Sequence, residues 1–433
     1  MIVKNEEDNI RQALSWGKEI MCEQIVVDTG STDRTVEIAE EMGAKVYYFS
    51  WINDFAAAKN YAIEQAKGDW IAFLDADERF APEDAAKIPS ILDALPEDID
   101  GVVAGWMQLD DENHISNGGS QLRLFANRPQ IRYEGSIHEN LVRLDGRKLK
   151  VLELTQELAF FHTGYRDSTR VSKSKFERNS KLIREILERE PENYTYWGYL
   201  GDSYASEEKA AEAVEAYEQA IKFMPETLRM DDQRSAYTYE NLLLAYQVLR
   251  KPEKEIEALY QEAVTRLPQE ADFDCVMGEW HWMRKEDASA IRYFEQTIEK
   301  LETYGAFNKA LRTVGKLIWI YHCLVELYRK TFDYRKAVQY CTVILRADHQ
   351  DVSALLTLLR CFQEQNISAQ EAFQFLGKLY NYSDVKDKVI LRRMAIEVKW
   401  KELEKLYKGI FLPQERAQFE AAMETAQSGA PLS

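Results

Sequence analysis

The stretch Trp70-Ile71-Ala72-Phe73-Leu74-Asp75-Ala76-Asp77-Glu78 decides how the first half of this chain is read. Five apolar residues in succession suit a strand buried on both faces. The run stops at carboxylates, and Asp75 and Asp77 stand one residue apart at its end. Two such groups can share a divalent cation, one directly and one through water or a bound sugar. Hard oxygen donors suit magnesium or manganese, and the cation offsets the charge of a leaving diphosphate. Solvated loops also produce Asp-x-Asp, so its surroundings carry the weight.

Outward from that segment, Ile25-Val26-Val27 and Lys45-Val46-Tyr47-Tyr48 read as further buried strands. Between the strands, Asp33 to Met42 and Phe55 to Ala66 carry helical spacing, the first opened by Thr29-Gly30-Ser31-Thr32-Asp33. Strand alternating with helix predicts right-handed β-α-β crossovers, hence an α/β, Rossmann-like domain on a mostly parallel sheet. Ligands of such sheets sit at the carboxyl ends of the strands. That directs attention to Lys4 to Glu6, Asp28 to Ser31 and Asp75 to Glu78. From Gly101 to His162 shorter alternating runs and the turn signal Asn117-Gly118-Gly119 predict a mixed or antiparallel extension.

Beyond about residue 170 the pattern is helical and contains a repeat. Trp197, Leu200, Gly201, Tyr204, Ala213, Tyr217, Ala220 and Pro225 fill the tetratricopeptide pattern in register. Weaker copies follow at Gly278, Ala290 and Phe294, then at Tyr321, Leu324, Tyr328, Ala337 and Cys341, and one slipped copy spans Tyr239 to Pro268. The expected division is an α/β domain over 1–168, a linking helix over 169–192, an all-α solenoid over 193–426 and a frayed tail over 427–433.

Charge narrows the function classes. The 433 residues carry a net charge of −18, and residues 1–166 alone hold 17 basic and 30 acidic side chains. Nucleic acid and anionic membrane are disfavoured partners for such a chain. An acidic domain holding a diphosphate needs a cation between the two. No apolar run approaches the roughly 20 residues of a membrane span. The opening Met1-Ile2-Val3-Lys4 does not look like a signal peptide, and the five scattered cysteines lack a C-x-x-C pair. A cytoplasmic, reducing location is expected.

The segments Met1 to Glu7, Ile25 to Asp33, Phe55 to Asn60 and Gly68 to Glu78 together resemble family 2 of the glycosyltransferases, which has the GT-A fold. Leu122-Arg123-Leu124-Phe125, Tyr133 to Glu139 and Phe161-His162-Thr163-Gly164-Tyr165 extend the resemblance to about residue 166. With its helical tail the chain is also similar to sublancin-type peptide S-glycosyltransferases and to glucosyltransferases of lipopolysaccharide cores.

The resemblance implies roles. Val3, Lys4, Glu6, Asp28, Ser31, Lys59, Asp75 and Ala76 would line the nucleotide-sugar crevice. Lys59 stands where the family usually has an arginine, so the charge is kept without the bidentate fork. Asp28 could instead only organise the Gly30-Ser31 turn. Asp77 and His162 would be metal ligands for Mn2+ or Mg2+, with a satisfied core histidine as the alternative for His162. Glu139 is the candidate general base of an inverting transfer. Its alternative is a structural carboxylate orienting His138 or Arg123, which are themselves acceptor-side candidates, and Asp110 and Asp111 stand in reserve.

The implied function is transfer of a sugar from a UDP-sugar to a peptide, protein or saccharide acceptor held partly by the repeats, which could also join a second copy of the chain. The rival is a scaffold with a degenerate transferase domain. A nucleotidyltransferase would require a glycine-rich phosphate loop after the first strand, which this sequence lacks.

Overall fold

The computed structural model describes residues 1–110, 112–163, 170–305, 308 and 311–428. The chain divides into two compact units, Met1–Glu207 and Glu208–Ser433. In chain order the first runs β1 (Ile2–Val3), α1 (Ile10–Ser15), β2 (Ile25–Asp28), α2 (Thr35–Glu41), β3 (Lys45–Tyr48), α3 (Phe55–Gln65), β4 (Trp70–Ala72), β5 (Glu78–Phe80), α4 (Pro82–Ala85), α5 (Ile88–Asp93), β6 (Gly101–Leu109), β7 (Ile115–Ala126), β8 (Ile131–Glu134), β9 (Asn140–Arg143), β10 (Val151–Glu153), β11 (Ala159–His162), α6 (Arg170–Arg189) and α7 (Tyr194–Ser206).

The expected β-α-β alternation produces a parallel sheet in the order β1-β2-β3, with Val26 and Val27 fully buried. The parallel set ends there. β4 pairs antiparallel with β7 (Trp70 opposite Ala126, Ala72 opposite Leu124), in a second sheet ordered β4-β7-β6-β11-β5. The parallel sheet and the mixed extension expected from Gly101 to His162 are both present, and β4 joins the second rather than the first. The apolar run identifies β4 as a strand, whose three residues are half-buried, but its partner lies some fifty residues downstream and is chosen by packing. Phe73 sits edge-on to Tyr133 at 5.4 Å, and Phe125 to the same ring at 6.1 Å, in the core beneath α3. Each buried aromatic contributes about 1.5–3 kcal/mol.

Two registers of β11 place a histidine. The strand runs parallel to β6, setting His162 opposite Gln108, and antiparallel to β5, setting His162 opposite Glu78. Since β5 begins one residue after Asp77, the ladder delivers His162 to the Asp-Ala-Asp segment.

The linking helix appears as α6, with Leu182, Ile183 and Leu187 buried. It packs against α7, and the first compact unit, expected over 1–168 with a linking helix over 169–192, runs on to Glu207. The amphipathic face of α6 needs a cover, and α7 supplies it.

The second unit runs α8 (Ala210–Phe223), α9 (Gln233–Val248), α10 (Glu253–Arg266), α11 (Asp272–Met283), α12 (Asp287–Tyr304), α13 (Leu311–Lys330), α14 (Tyr334–Ala347), α15 (Val352–Glu364), α16 (Ala369–Leu376), α17 (Val385–Glu397), α18 (Lys401–Ile410) and α19 (Pro413–Ser428). The weak repeat copies are helix pairs. In α11 and α12, a Cβ on Gly278 would stand 2.6 Å from Cδ1 of the fully buried Phe294. In α13 and α14, Tyr340 stacks on Tyr328 and Tyr321, while Ala337 and Cys341 are fully buried. Gly278→Ala should therefore destabilise this unit by about 1–3 kcal/mol through overpacking, less the helix-propensity gain of about 1 kcal/mol. A melting temperature at or above wild type would show that Phe294 yields freely. Among the described residues no helix is long and apolar enough to cross a membrane.

Candidate functional site

A cavity of about 520 Å³ opens where the strand ends converge in the first unit, within the range of small-ligand sites. Ile2 and Val3 of β1, Lys4 and Glu6 after it, Thr29 after β2, and Asp75, Ala76 and Asp77 after β4 form one side of its lining. Trp51, Phe55 and Lys59, the loop Ile137-His138-Glu139, His162, and Arg178 and Asn179 of α6 complete it.

Behind Asp75 lies Arg123. Its Nη2 donates to Asp75 Oδ2 at 3.1 Å and to Glu78 Oε1 at 2.5 Å, and Glu78 Oε2 accepts the Asp75 amide at 3.0 Å. Burial would raise the Asp75 carboxyl, but Lys59 and Arg123 outweigh it and hold the group below the usual carboxylate range. Glu78, 2% exposed, is pushed the other way by burial in spite of Arg123. Arg123 does not line the cavity; it braces the Asp75-to-Glu78 turn from beneath.

His162 Nε2 lies 3.3 Å from Asp77 Oδ2, and Nδ1 lies 2.6 Å from Gln108 Oε1. Thr163 ties the same strand end to Asp77, its amide and hydroxyl both donating to the Asp77 carbonyl at 3.0 and 3.1 Å. Asp77 and His162 thus present one carboxylate and one imidazole to the cavity.

Glu139 pairs with Lys59, Oε1 to Nζ at 2.6 Å, rather than with His138 or Arg123. Lys59 is buried over the faces of Tyr133 and Phe73 at 5.0 and 5.3 Å. Burial alone would lower its ammonium; the charges of Asp75, Tyr133 and Glu139 outweigh that and raise it. Several contacts hold the loop carrying Glu139. Asp54 caps α3 through the Ala57 amide and also accepts from Ser136 Oγ, while the Phe55 amide donates to the Ser136 carbonyl. Gly135 has φ 98° and His138 φ 54°, and at His138 a side chain tolerates the left-handed region at a cost. The His138 ring stacks on Tyr199 of α7 with centroids 3.9 Å apart.

Three residues expected in the crevice or on the acceptor side take other places. Arg123 is the brace under Asp75. Asp28 is buried and accepts from the amides of Gly30 and Ser31 at 3.1 Å, so it organises that turn. The Ser31 hydroxyl accepts the Asn5 amide at 2.9 Å, which joins the ends of β1 and β2. Of the reserves, Asp110 caps the β6–β7 turn through the amides of Glu112 and His114, and Asp111 lies outside the described residues, as do Gly164 and Tyr165. Gln108, Tyr199, Arg178 and Asn179 were not legible as site residues in the sequence. Gln108 alone left a signal, a lone carboxamide near the end of the apolar run Gly101 to Leu109.

Comparison with known proteins bears on the family of the first part of the chain. The family model described as glycosyl transferase family 2 matches residues 1–158. The chain is 31% identical over 224 residues to the SPbeta prophage-derived glycosyltransferase SunS of Bacillus subtilis, covering 51% of this chain and 52% of that protein. It is 43% identical over 141 residues to a TPR repeat-containing protein of Synechococcus elongatus, covering 32% of this chain and 34% of that protein. The chain thus spans about half the length of the first relative and about a third of the second. A solved tetratricopeptide repeat protein from Parabacteroides merdae aligns with TM-score 0.32 and 13% identity over 57% of this chain and 92% of that one. Residues 1–158 are thus similar to glycosyl transferase family 2, and a helical region with tetratricopeptide spacing follows them.

Proposed function

We propose that the chain is a metal-dependent, inverting glycosyltransferase that moves a sugar from a UDP-sugar to a peptide, protein or saccharide acceptor. The observation that carries this reading is the meeting of Asp77 with His162 Nε2 at 3.3 Å in the cavity that Asp75 and Glu139 also line. Among the described residues no group of three or more His, Cys, Asp or Glu side chains could hold a metal ion. A carboxylate and an imidazole fit Mn2+ or Mg2+ if the remaining positions go to diphosphate oxygens and water. Such an ion, when bound, neutralises charge on the departing diphosphate.

The chain's own residues supply the rest. Asp75, held by Arg123 and kept ionised, faces the cavity beside Asp77. Lys59 fixes Glu139 through Oε1. Glu139 takes the proton of the acceptor's nucleophilic atom as that atom bonds to the anomeric carbon. The bond from that carbon to the diphosphate oxygen breaks on the opposite face, which inverts the centre. Arg178 and Asn179 place α6 on the cavity wall, where its polar side chains can meet an incoming acceptor. A reducing, cytoplasmic setting is part of this reading, with Cys22 exposed and free and four further cysteines buried and free.

Titration with UDP, with and without Mn2+, tests it. Asp77→Asn should weaken Mn2+-dependent UDP binding by at least about tenfold, the least that even outer-shell changes cost, with an unchanged melting temperature. Equal binding of UDP by the wild type in Mn2+ and in chelator would overturn the metal reading.

A further inference from the structure

We propose that Gln108 is a positioning residue that locks His162 as its Nδ1–H tautomer, so that the Nε2 lone pair is presented to a divalent cation shared with Asp77. The inference rests on the metal reading of Asp77 and His162 and goes beyond it.

Donor and acceptor identities fix the tautomer. Gln108 is buried at 7% exposure in β6, where an unsatisfied carboxamide would be costly. Its Nε2 donates to the Leu109 carbonyl at 3.0 Å. A carbonyl oxygen can only accept, so the amide group must face Leu109 and Oε1 must face His162. Oε1 in turn can only accept, so at 2.6 Å His162 Nδ1 must be the donor. In the neutral ring Nε2 then carries the lone pair, and that lone pair points towards Asp77 Oδ2 at 3.3 Å. Two acceptors facing each other at this distance repel, and a cation between them removes the repulsion.

The alternative tautomer shows why an orienter matters. A proton on Nε2 would be donated to Asp77 Oδ2, and one hydrogen bond would consume both metal ligands. The cross-strand register that sets Gln108 opposite His162 therefore favours the tautomer whose Nε2 lone pair faces Asp77. The Trp106 ring, 5.8 Å from His162, helps to fix the plane of the imidazole. Outer-shell partners of this kind change metal affinity by about 10–100-fold.

Two measurements on the full-length chain test the proposal. Long-range proton–nitrogen spectra of nitrogen-15 histidine-labelled protein, recorded above the ordinary imidazole pKa of about 6.5, report the tautomer of each histidine. The chain has six, and His162→Ala identifies the signal. The expected result is a protonated Nδ1 and a bare Nε2; a proton on Nε2 overturns the proposal. In the second, Mn2+ affinity is measured by calorimetry with UDP present. Gln108→Met, similar in length and without an acceptor, should lose about 10–100-fold, while UDP binding in chelator stays at the wild-type value. Wild-type Mn2+ affinity in Gln108→Met overturns the proposal, and the tautomer measurement decides alone should that variant not fold. If Asp77→Asn lowers Mn2+ affinity and Gln108→Met does not, only the role of Gln108 fails. If neither does, the metal reading fails with it.

Discussion

Glu139→Gln is expected to lower sugar transfer by about 10²–10⁴-fold, the contribution of a positioned general base, while UDP affinity with Mn2+ stays within about twofold of wild type, since the change is nearly isosteric. The Lys59 pair is the reason for this split. Glutamine keeps an oxygen for the Lys59 ammonium, which lies 2.6 Å from Oε1, so the loop and the cavity wall should stand. It cannot accept the acceptor's proton, so only the step needing a base is lost. Product formation from a panel of UDP-sugars, followed by mass spectrometry, gives the rate, and calorimetry gives the UDP affinity. Transfer near the wild-type rate would remove Glu139 from the role. Asp110, spent on the hairpin turn, is not its replacement; Glu6, which lines the cavity, is the next carboxylate to test.

A chain ending at Glu192 should show no detectable transfer and poor stability, whereas one ending at Glu207 should fold and bind UDP with Mn2+. The two differ by α7. Without it the buried face of α6 around Leu182, Ile183 and Leu187 loses its cover. Exposing one such leucine or isoleucine costs about 1.5–3 kcal/mol, and domains hold only about 5–15 kcal/mol in reserve. The loop carrying Glu139 would also lose the Tyr199 ring stacked on His138, a residue already at φ 54°. The chain ending at Glu207 keeps both contacts and should hydrolyse a UDP-sugar slowly. If the repeats hold acceptor at high local concentration, its acceptor KM should rise with kcat little changed. An unchanged KM in a folded chain ending at Glu207 would mean that the repeats are not the acceptor platform. Equal stability of the two chains would show that α7 is dispensable to the first unit.

The sequence by itself determined the elements and which polar side chains stand at or near their ends. Apolar runs of strand length located β2, β3 and β4, and helical spacing located α2 and α3, because burial periodicity is a local property. Asp75, Asp77, Glu139, Lys59 and His162 were legible because each stands at the end of a run or within a recognisable motif, and all of them line one cavity. Tetratricopeptide spacing was legible for the same reason, since the copy from Trp197 to Pro225 fills its pattern within one stretch of chain.

Tertiary structure decided the pairings. That β4 turns to β7, that Arg123 serves Asp75 from below, and that Asp28 is spent on a turn all depend on partners distant in sequence or on the direction a side chain takes. The same holds for α6 and α7, which read as linker and first repeat but belong to the unit that carries the cavity. Gln108 shows the limit most plainly. Its polarity in an apolar strand was visible, but its meaning came from the register that sets it opposite His162. Periodicity records which face of an element is buried. It does not record which other element lies against that face, because that choice is made by packing among residues far apart in the chain.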